Sequence, residues 1–406
     1  MAGEWKRTSL REAGVTLIDC DHRTPPAAES GYPYVAIPQL KEGRILLNDV
    51  RRISPEHFAE WTRKAKPQHH DVILSRRCNP GETAYVPAEI ECALGQNLVL
   101  LRADGKKLFP PFLRWLVRGA DWWEQVGTFI NVGAVFDSLK CADIPNFSMP
   151  LPPLAEQKAI AAVLGALDDK IELNRRMNAK LEEMARALFQ SWFVDFDPVR
   201  AKLDGRQSVG LDPATAALFP AFFHETKDGH IPTGWQLGRL ADLCNLKRGH
   251  DLPTSTRTAG PIPVISSSGT SGTHSETNVR GPGVVTGRYG TIGKVFYIET
   301  DYWPLNTTLF VDDFKGNPPR FIFHMLGEVN FQNYTDKAAV PGVNRNHLHE
   351  EPMVLPPMEL RQAFTHSVSP LWLQHAANKQ ESRTLATLRD TLLPKLLSGE
   401  LQLNQN

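Results

Sequence analysis

Three short runs contain side chains that could bind a metal ion, but each is incomplete as a ligand set. Asp195-Phe-Asp197 offers two carboxylates, Cys20-Asp-His22 adds a thiol and an imidazole, and His69-His70-Asp71 adds two imidazoles. A closed structural zinc site needs four protein ligands, which none of these runs supplies. Acids that alternate with phenylalanine are equally typical of a chain that leaves a helix with its carboxylates in water. We therefore interpret these runs as loop residues and predict no metal site.

Two further runs are similar to known nucleotide-binding or base-binding motifs. Gly290-Thr-Ile-Gly-Lys294 lacks the spacing and the following Ser or Thr of a phosphate loop. Asn317-Pro-Pro-Arg320 is similar to the Asn-Pro-Pro-aromatic motif with which amino-methyltransferases hold a flipped adenine. Here arginine replaces the aromatic residue, and no Gly-rich cofactor loop after a strand precedes it. We interpret the second run as an ordinary turn and predict no nucleotide hydrolysis or methyl transfer by this chain.

A pair of arginine-containing runs has the pattern of a β-hairpin. Residues 71–86 align with residues 283–298, and the alignment pairs Arg76 with Arg288, Gly81 with Gly293 and Tyr85 with Tyr297. Each run reads as an apolar strand, an arginine with a glycine turn, and a second apolar strand. Such a hairpin carries a cation on its loop, and glycine lets the backbone approach a partner closely. A purely structural hairpin with solvated arginines is the alternative.

These runs belong to a sequence that contains an internal repeat. Leu151–Phe193 recurs as Leu355–Leu397 without a gap, 204 residues further on. The globular segments before these copies also match, since Trp5 aligns with Trp235 and Pro33 aligns with Pro263. A chain that alternates a globular segment with a helix, twice, has two equivalent working units. The function should therefore be performed in duplicate.

Both copies of the 43-residue match read as long helices with a heptad seam. The first seam runs from Ile160 to Trp192 in alternating steps of four and three, and the second runs from Phe364 to Leu396. A helix from Leu154 to Phe193 would be about 60 Å long at 1.5 Å per residue. Two such seams can bury each other as an antiparallel pair and hold the globular units well apart. Pro370 should interrupt or kink the second helix near Ser369.

Composition excludes several classes of protein. With 406 residues, 41% of them hydrophobic, the chain can form two or more cored domains. Five cysteines without CxxC spacing indicate neither a disulfide framework nor a four-cysteine zinc site. The sequence shows no signal peptide and no apolar run of about 20 residues, so we predict a cytoplasmic protein and no membrane contact. Forty-five basic residues balance forty-five acidic ones, which argues mildly against an autonomous nucleic-acid binder.

Three motifs resemble those of the specificity subunits of Type I restriction-modification enzymes. They are the runs Leu151-Pro-Pro-Leu-Ala-Glu-Gln-Lys158, Leu188-Phe-Gln-Ser-Trp-Phe-Val-Asp-Phe-Asp-Pro198 and Leu392-Leu-Pro-Lys-Leu-Leu-Ser-Gly-Glu-Leu401. The resemblance spans essentially the whole chain. One departure is the second helix start, Leu355-Pro-Pro-Met-Glu-Leu-Arg-Gln362, which lacks the pair Glu156-Gln157.

The resemblance implies an α+β fold in which two mixed α/β target recognition domains form a pseudo-two-fold repeat. Each domain would read one half of a bipartite double-stranded DNA site. The two long helices would form an antiparallel coiled coil that separates the domains and docks two modification subunits, through which restriction subunits join. The chain itself would be non-catalytic and hold no cofactor, whereas its partners would use S-adenosylmethionine, ATP and Mg²⁺.

These expectations assign boundaries and residues. The recognition domains would be residues 1–150 and 235–354, the helices 151–197 and 355–406, and an ordered connector 198–234. The expected DNA-binding residues lie on the two hairpins: Arg76, Arg77, Arg288, Tyr289, Thr291 and Lys294. The expected coiled-coil or partner-docking residues lie on the two helices: Glu156, Gln157, Leu164, Leu167, Ile171, Asn174, Leu181, Leu188, Asn378, Leu385 and Leu392.

Other functions compete with this interpretation. A self-contained nuclease or methyltransferase is disfavoured because no catalytic motif is complete. A coiled-coil scaffold with duplicated protein-binding domains, or the DNA-reading part of another methyltransferase or nuclease system, would also use duplicated units. DNA binding with a steep salt dependence would distinguish a DNA reader from a scaffold.

Overall fold

The computed structural model describes residues 5–133, 135–208, 210–227, 229–335 and 342–403. It divides into two compact units. Unit 1 comprises Met1–Arg175 and Lys379–Asn406, and unit 2 comprises Arg176–Asn378. Each unit therefore combines one globular domain with parts of both long helices.

Unit 1 contains eleven described strands and three short helices, and the first long helix begins in it. The strands are β1 (Arg7–Ser9), β2 (Val15–Asp19), β3 (Tyr32–Val35), β4 (Leu40–Lys41), β5 (Arg44–Ile45), β6 (Arg52–Ile53), β7 (Val72–Ser75), β8 (Thr83–Tyr85), β9 (Ala93–Leu94), β10 (Leu98–Ala103) and β11 (Ser148–Pro150). The helices are α1 (Pro55–Trp61), α2 (Pro110–Leu116), α3 (Ala120–Phe129) and the long α4 (Leu154–Phe193).

The remaining elements begin in unit 2, in which α4 also ends, and the part of α10 from Lys379 onwards belongs to unit 1. The helices are α5 (Asp197–Leu203), α6 (Pro213–Ala217), α7 (Leu240–Leu243), α8 (Pro319–Gly327), α9 (Arg345–His349) and the long α10 (Met358–Leu397). The strands are β12 (Phe223–Thr226), β13 (Gly229–Pro232), β14 (Gln236–Arg239), β15 (Asn245–Arg248), β16 (Ile262–Ser266), β17 (Gly269–His274), β18 (Gly283–Gly287), β19 (Val295–Ile298), β20 (Trp303–Pro304), β21 (Thr308–Asp313) and β22 (Pro352–Leu355).

The main sheets of the two units have the same topology. Strands are ordered β2-β10-β7-β8 in unit 1 and β15-β21-β18-β19 in unit 2. In the predicted hairpins, Val72 pairs with Tyr85 and Val284 pairs with Tyr297, both antiparallel. The structure thus confirms the hairpins and their alignment in the repeat.

Both main sheets are buried on two faces, which explains their continuous apolar strands. In β7, Val72 and Leu74 pack into one hydrophobic cluster, whereas Ile73 packs into another. Successive side chains of a strand point to opposite faces, so a sheet covered on both sides needs apolar residues at every position. Unit 2 repeats this arrangement, since Val284 and Val285 lie in different clusters.

The long helices pair within each unit, and their seams are equivalent. All ten positions of each predicted seam are buried or half-buried, in the same order in both helices. In unit 1, Asn174 Nδ2 donates to Glu381 Oε2 at 2.7 Å, and in unit 2, Asn378 Nδ2 donates to Asn178 Oδ1 at 2.9 Å. As numbers rise along α4, partner numbers fall along α10, so the predicted antiparallel coiled coil is confirmed.

The predicted coiled-coil residues lie in this seam. Those in direct core positions are buried: Leu164, Ile171, Asn174 and Asn378. The others are half-buried: Leu167, Leu181, Leu188, Leu385 and Leu392.

Pro370 does not interrupt α10, which is continuous from Met358 to Leu397. The expected interruption was wrong, because packing outweighs the hydrogen bond that proline cannot donate, whereas a kink near Ser369 stays a prediction. Phe364, Val368 and Trp372 are buried on either side of Pro370 and hold both flanking turns in the core of unit 2.

Residues of the predicted connector form α5, α6 and the hairpin of β12 and β13. Phe219 is buried there, with its ring 5.3 Å from that of Trp192. Across the described part of the chain, every helix is too short or too polar to cross a bilayer.

Candidate nucleic-acid interface

Arg76 and Arg288 occupy equivalent places, directly after β7 and β18. The backbone N–H of each donates to the loop before the neighbouring strand: Arg76 to Asn97 O at 3.1 Å, and Arg288 to Thr307 O at 2.8 Å. The carbonyl of each accepts from a later segment, from Leu139 N at 2.8 Å and from Val343 N at 3.0 Å. Backbone hydrogen bonds on both sides therefore fix the start of each arginine side chain.

In unit 1, two guanidinium groups lie near an imidazole. They belong to Arg76 and Arg77, which follow β7, and we call this part of the domain the unit 1 edge. Arg76 is half-buried, and its Nη2 lies 3.4 Å from Nδ1 of the exposed His22. The guanidinium of Arg77, also half-buried, lies 5.7 Å from the centre of the Phe136 ring. Guanidinium groups held in this way can donate to a guanine edge or to a phosphate.

A cavity of about 420 Å³ adjoins this edge, because Gln96 and Asn97 line it. Its other polar lining residues include Thr24, Gln39 and Arg51. Amide and guanidinium side chains are the usual donors and acceptors for base edges. Sequence reasoning missed these residues, because none of them belongs to the pattern that marks the hairpin.

The predicted residues of unit 2 lie together on the turn between β18 and β19. The Arg288 guanidinium stacks 4.5 Å from the centre of the Tyr289 ring, and both side chains are half-buried. Thr291 and Lys294 are exposed. The turn closes tightly at Gly287, where a Cβ atom would lie 1.8 Å from Thr291 O. This arrangement presents cations and a hydroxyl on one loop without the geometry of a phosphate loop.

In each domain, an arginine contacts both a long helix and the ring of the hairpin tyrosine. The two tyrosines, Tyr85 and Tyr297, are aligned in the repeat. In unit 1, the Arg114 guanidinium is 4.5 Å from the Tyr85 ring and 3.2 Å from Asp168 Oδ2 on α4. In unit 2, the Arg320 guanidinium is 3.4 Å from the Tyr297 ring and 4.2 Å from the Trp372 ring on α10.

Asp168 and Trp372 are equivalent in the repeat, since both fall on the aligned residues of the two helices. The contact between the arginine and the long helix is therefore an ion pair in unit 1 and a cation–π contact in unit 2. The sequence analysis named Arg320 only as the last residue of a turn and did not name Arg114, because the two arginines do not align with each other.

The run Asn317-Pro-Pro-Arg320 begins α8 and anchors it. Asn317 is buried, and its Nδ2 donates to Leu243 O at 2.8 Å and to Phe314 O at 3.1 Å. Its Oδ1 accepts a hydrogen bond from Arg361 on α10. The side chain of Asn317 is thus fully engaged in hydrogen bonds to the backbone of its own domain and to Arg361 on α10.

Gln157 makes the corresponding contact in unit 1. Its Oε1 accepts from Phe109 N at 2.8 Å, just before α2, and its Nε2 donates to Lys107 O at 2.9 Å. Gln157 aligns with Arg361 in the repeat. Glu156 is also buried and accepts from Leu403 N at 2.8 Å. Both side chains are occupied within the chain, so we do not propose them as direct contacts of a partner.

Side chains of the acidic run and of the histidine run form hydrogen bonds within the chain. Asp195 Oδ1 accepts from Gln190 Nε2 at 3.0 Å, and Tyr85 OH lies 2.9 Å from both His69 Nε2 and His70 Nδ1. Within the described ranges, potential ligand atoms come together at Asp19, Cys20 and His22.

This cluster is a poor metal site. The Cys20 thiol donates to Gly95 O at 3.2 Å, and burial, followed by the charge of Asp19, raises its pKa to about 11. His22 is engaged with Asp19 and Gln96 O. A metal would have to displace the thiol proton and its hydrogen bond to Gly95 O, because the thiolate is the binding form.

Comparison with known proteins shows the class to which this architecture belongs. The family model of the Type I restriction modification DNA specificity domain matches residues 22–183 and again residues 232–383. The chain therefore belongs to this family, with two copies of its domain. Members of the family are non-catalytic specificity components, so the chain is one as well.

Individual relatives agree with this membership. The specificity subunit of the Type I restriction enzyme HindI of Haemophilus influenzae is 26% identical, over 92% of this chain and 95% of the relative. The MjaIX specificity subunit of Methanocaldococcus jannaschii is 23% identical, over 68% and 66%. The solved S subunit of a Type I restriction-modification system from M. genitalium has the same fold, with a TM-score of 0.51 and 16% identity over 97% of this chain and 96% of that one.

Proposed function

We propose that this chain is the DNA-reading subunit of a Type I restriction-modification complex. The observation that carries the proposal is the equivalence of the edges around Arg76 and Arg288 in two copies of a DNA specificity domain. Duplicated edges suit a bipartite double-stranded site, one domain reading each half. Six hairpin residues would contact DNA: Arg76, Arg77, Arg288, Tyr289, Thr291 and Lys294.

The partners and location are part of the same proposal. Two modification subunits would dock on the coiled coil, and restriction subunits would join through them. These partners would supply S-adenosylmethionine, ATP and Mg²⁺ to the complex. The domain boundaries are those given by the sequence, with recognition domains 1–150 and 235–354. The complex would act in the cytoplasm, where the DNA to be modified lies. Because the chain has no net charge, partner subunits would share the phosphate contacts.

Substitution of each arginine should affect one half-site only. In complexes with modification subunits, we expect Arg76→Ala and Arg288→Ala each to weaken specific binding by about 1–3 kcal/mol and to relax one half of the site. Binding to sites with single mismatches in either half, at fixed salt, measures both effects.

Arg206→Ala is the matched control, because Arg206 is exposed and pairs with Asp204 at 2.8 Å, within the connector. It should leave both half-sites intact. Full affinity and unchanged specificity in both hairpin variants would refute the proposed roles of Arg76 and Arg288.

A further inference from the structure

A short closed loop adjoins the unit 1 edge, and we call residues 131–138, apart from Ala134, the apolar loop. Asn131 N donates to Ser138 O at 2.8 Å, and Ser138 N donates to Asn131 O at 3.0 Å. This pair of backbone hydrogen bonds closes the loop at its base. Its described tip contains Val132, Val135 and Phe136.

The apolar loop is attached to the hairpin that carries Arg76 and Arg77. Leu139 N donates to Arg76 O at 2.8 Å, and Cys78 N donates to Asp137 O at 3.2 Å. The Arg77 guanidinium also lies 5.7 Å from the Phe136 ring. In unit 2, a corresponding bridge joins Tyr289 to Gly342 beside Arg288. The loop is therefore part of the same edge as the arginines.

Val132 and Val135 have the most exposed large apolar side chains among the described residues, at 84% and 88%, and Phe136 is 43% exposed. Removal of apolar surface from water favours binding to a partner that covers it. The adjacent guanidinium groups favour an anionic partner with acceptor groups. The major groove of DNA combines these features, because guanine and phosphate offer acceptors and the C5-methyl of thymine is the apolar group of the groove.

We propose that Val132, Val135 and Phe136 are specificity-determining residues that contact thymine methyl groups in the half-site of unit 1. This inference rests on the proposed function. Val132, Val135 and Phe136 offer no hydrogen bond to a base edge, so the thymine methyl group is the base feature that gains from contact with them. The half-site of unit 1 therefore contains at least one thymine at a position that is read.

Replacement of thymine by uracil removes only the methyl group, so it isolates this contact. After the site of the complete complex is known and Arg76→Ala has identified the half read by unit 1, each thymine of the site is replaced singly by uracil. In the unsubstituted complex, uracil at the contacted position should weaken binding about four-fold, equivalent to about 0.8 kcal/mol for one buried methyl group.

Val135→Ala and Phe136→Ala should reduce this thymine preference to near unity, and effects of uracil in the other half should not change. Val163→Ala, a substitution on the exposed face of α4, should keep the preference. The inference would be overturned by a unit 1 half-site without thymine, by indifference to uracil while specific binding persists, or by loop variants that lose modification subunits instead. Failure of the proposed function is different, since it would abolish sequence-specific binding altogether.

Discussion

Asp168→Asn should lower the free energy of unfolding of unit 1 by about 3–5 kcal/mol. The side chain of Asp168 is 12% exposed and forms ion pairs with three arginines: Arg389 at 2.6 Å, Arg114 at 3.2 Å and Arg44 at 3.7 Å. Burial lowers the pKa of both Arg44 and Arg114, which shows that their charged forms are already destabilised by desolvation. Without the carboxylate, three positive charges remain in one half-buried cluster with weaker compensation.

This substitution also bears on function, because Asp168 joins α4 to the domain that carries Arg76. Hydrogen exchange should show loss of protection in β7, with β18 of unit 2 unchanged as an internal control. Asp390→Asn is the matched variant, since Asp390 also pairs with Arg389, at 2.8 Å, but is 59% exposed. Its effect should stay below about 1 kcal/mol. Equal effects of the two variants would show that Asp168 has no special role.

His324→Phe should make unit 2 resistant to mild acid. His324 is buried among the rings of Phe189, Phe364 and Trp372, and its Nε2 has no hydrogen-bond partner among the described residues. Burial, followed by the charges of Arg320 and Arg186, lowers the pKa of His324 to about 3.

The sign of the pH effect follows from the two pKa values. The unfolded histidine binds a proton below about pH 6.5, whereas the folded one stays neutral until about pH 3. Stability is therefore fully present above pH 6.5 and is lost progressively as the pH falls towards 3. Between pH 7 and pH 5 this amounts to about 2 kcal/mol.

Denaturant unfolding at pH 7 and pH 5 tests this expectation. The wild type should lose about 2 kcal/mol more than His324→Phe over this interval. At pH 7 the variant should be at least as stable, because it removes a buried nitrogen that lacks a partner. Other histidines contribute equally to both proteins, so the difference isolates His324. An identical loss in the two proteins would contradict the assignment of a neutral buried imidazole.

The sequence predicted those parts of the structure that depend on periodicity and on the repeat. The heptad spacing predicted a long helix along the seam from Ile160 to Trp192, and the observed helix is Leu154–Phe193. Alignment of Arg76 with Arg288 placed two hairpins in equivalent positions, because the apolar strands on either side of each turn are buried in the same way.

The contacts of Arg114 and Arg320 with the long helices, and the apolar loop, could not be predicted from the sequence. They depend on contacts between residues that are far apart in the chain. Asp168 aligns with Trp372, two residues of opposite character, and only tertiary structure shows that each meets an arginine over a hairpin tyrosine. The exposure of Val135 likewise contradicts the ordinary expectation that a valine is buried. Gln157 was expected among the coiled-coil or partner-docking residues, and only the structure shows that its Oε1 accepts a hydrogen bond from Phe109 N before α2.

The central claim is that the two recognition edges read the two halves of one DNA site. Mapping of methylated adenines in DNA from cells that contain this chain and its modification subunits tests it most directly. We expect a motif of two short specified halves separated by a constant unspecified spacer, and Arg76→Ala and Arg288→Ala should relax opposite halves. A single uninterrupted motif, or relaxation of the same half by both variants, would contradict the claim.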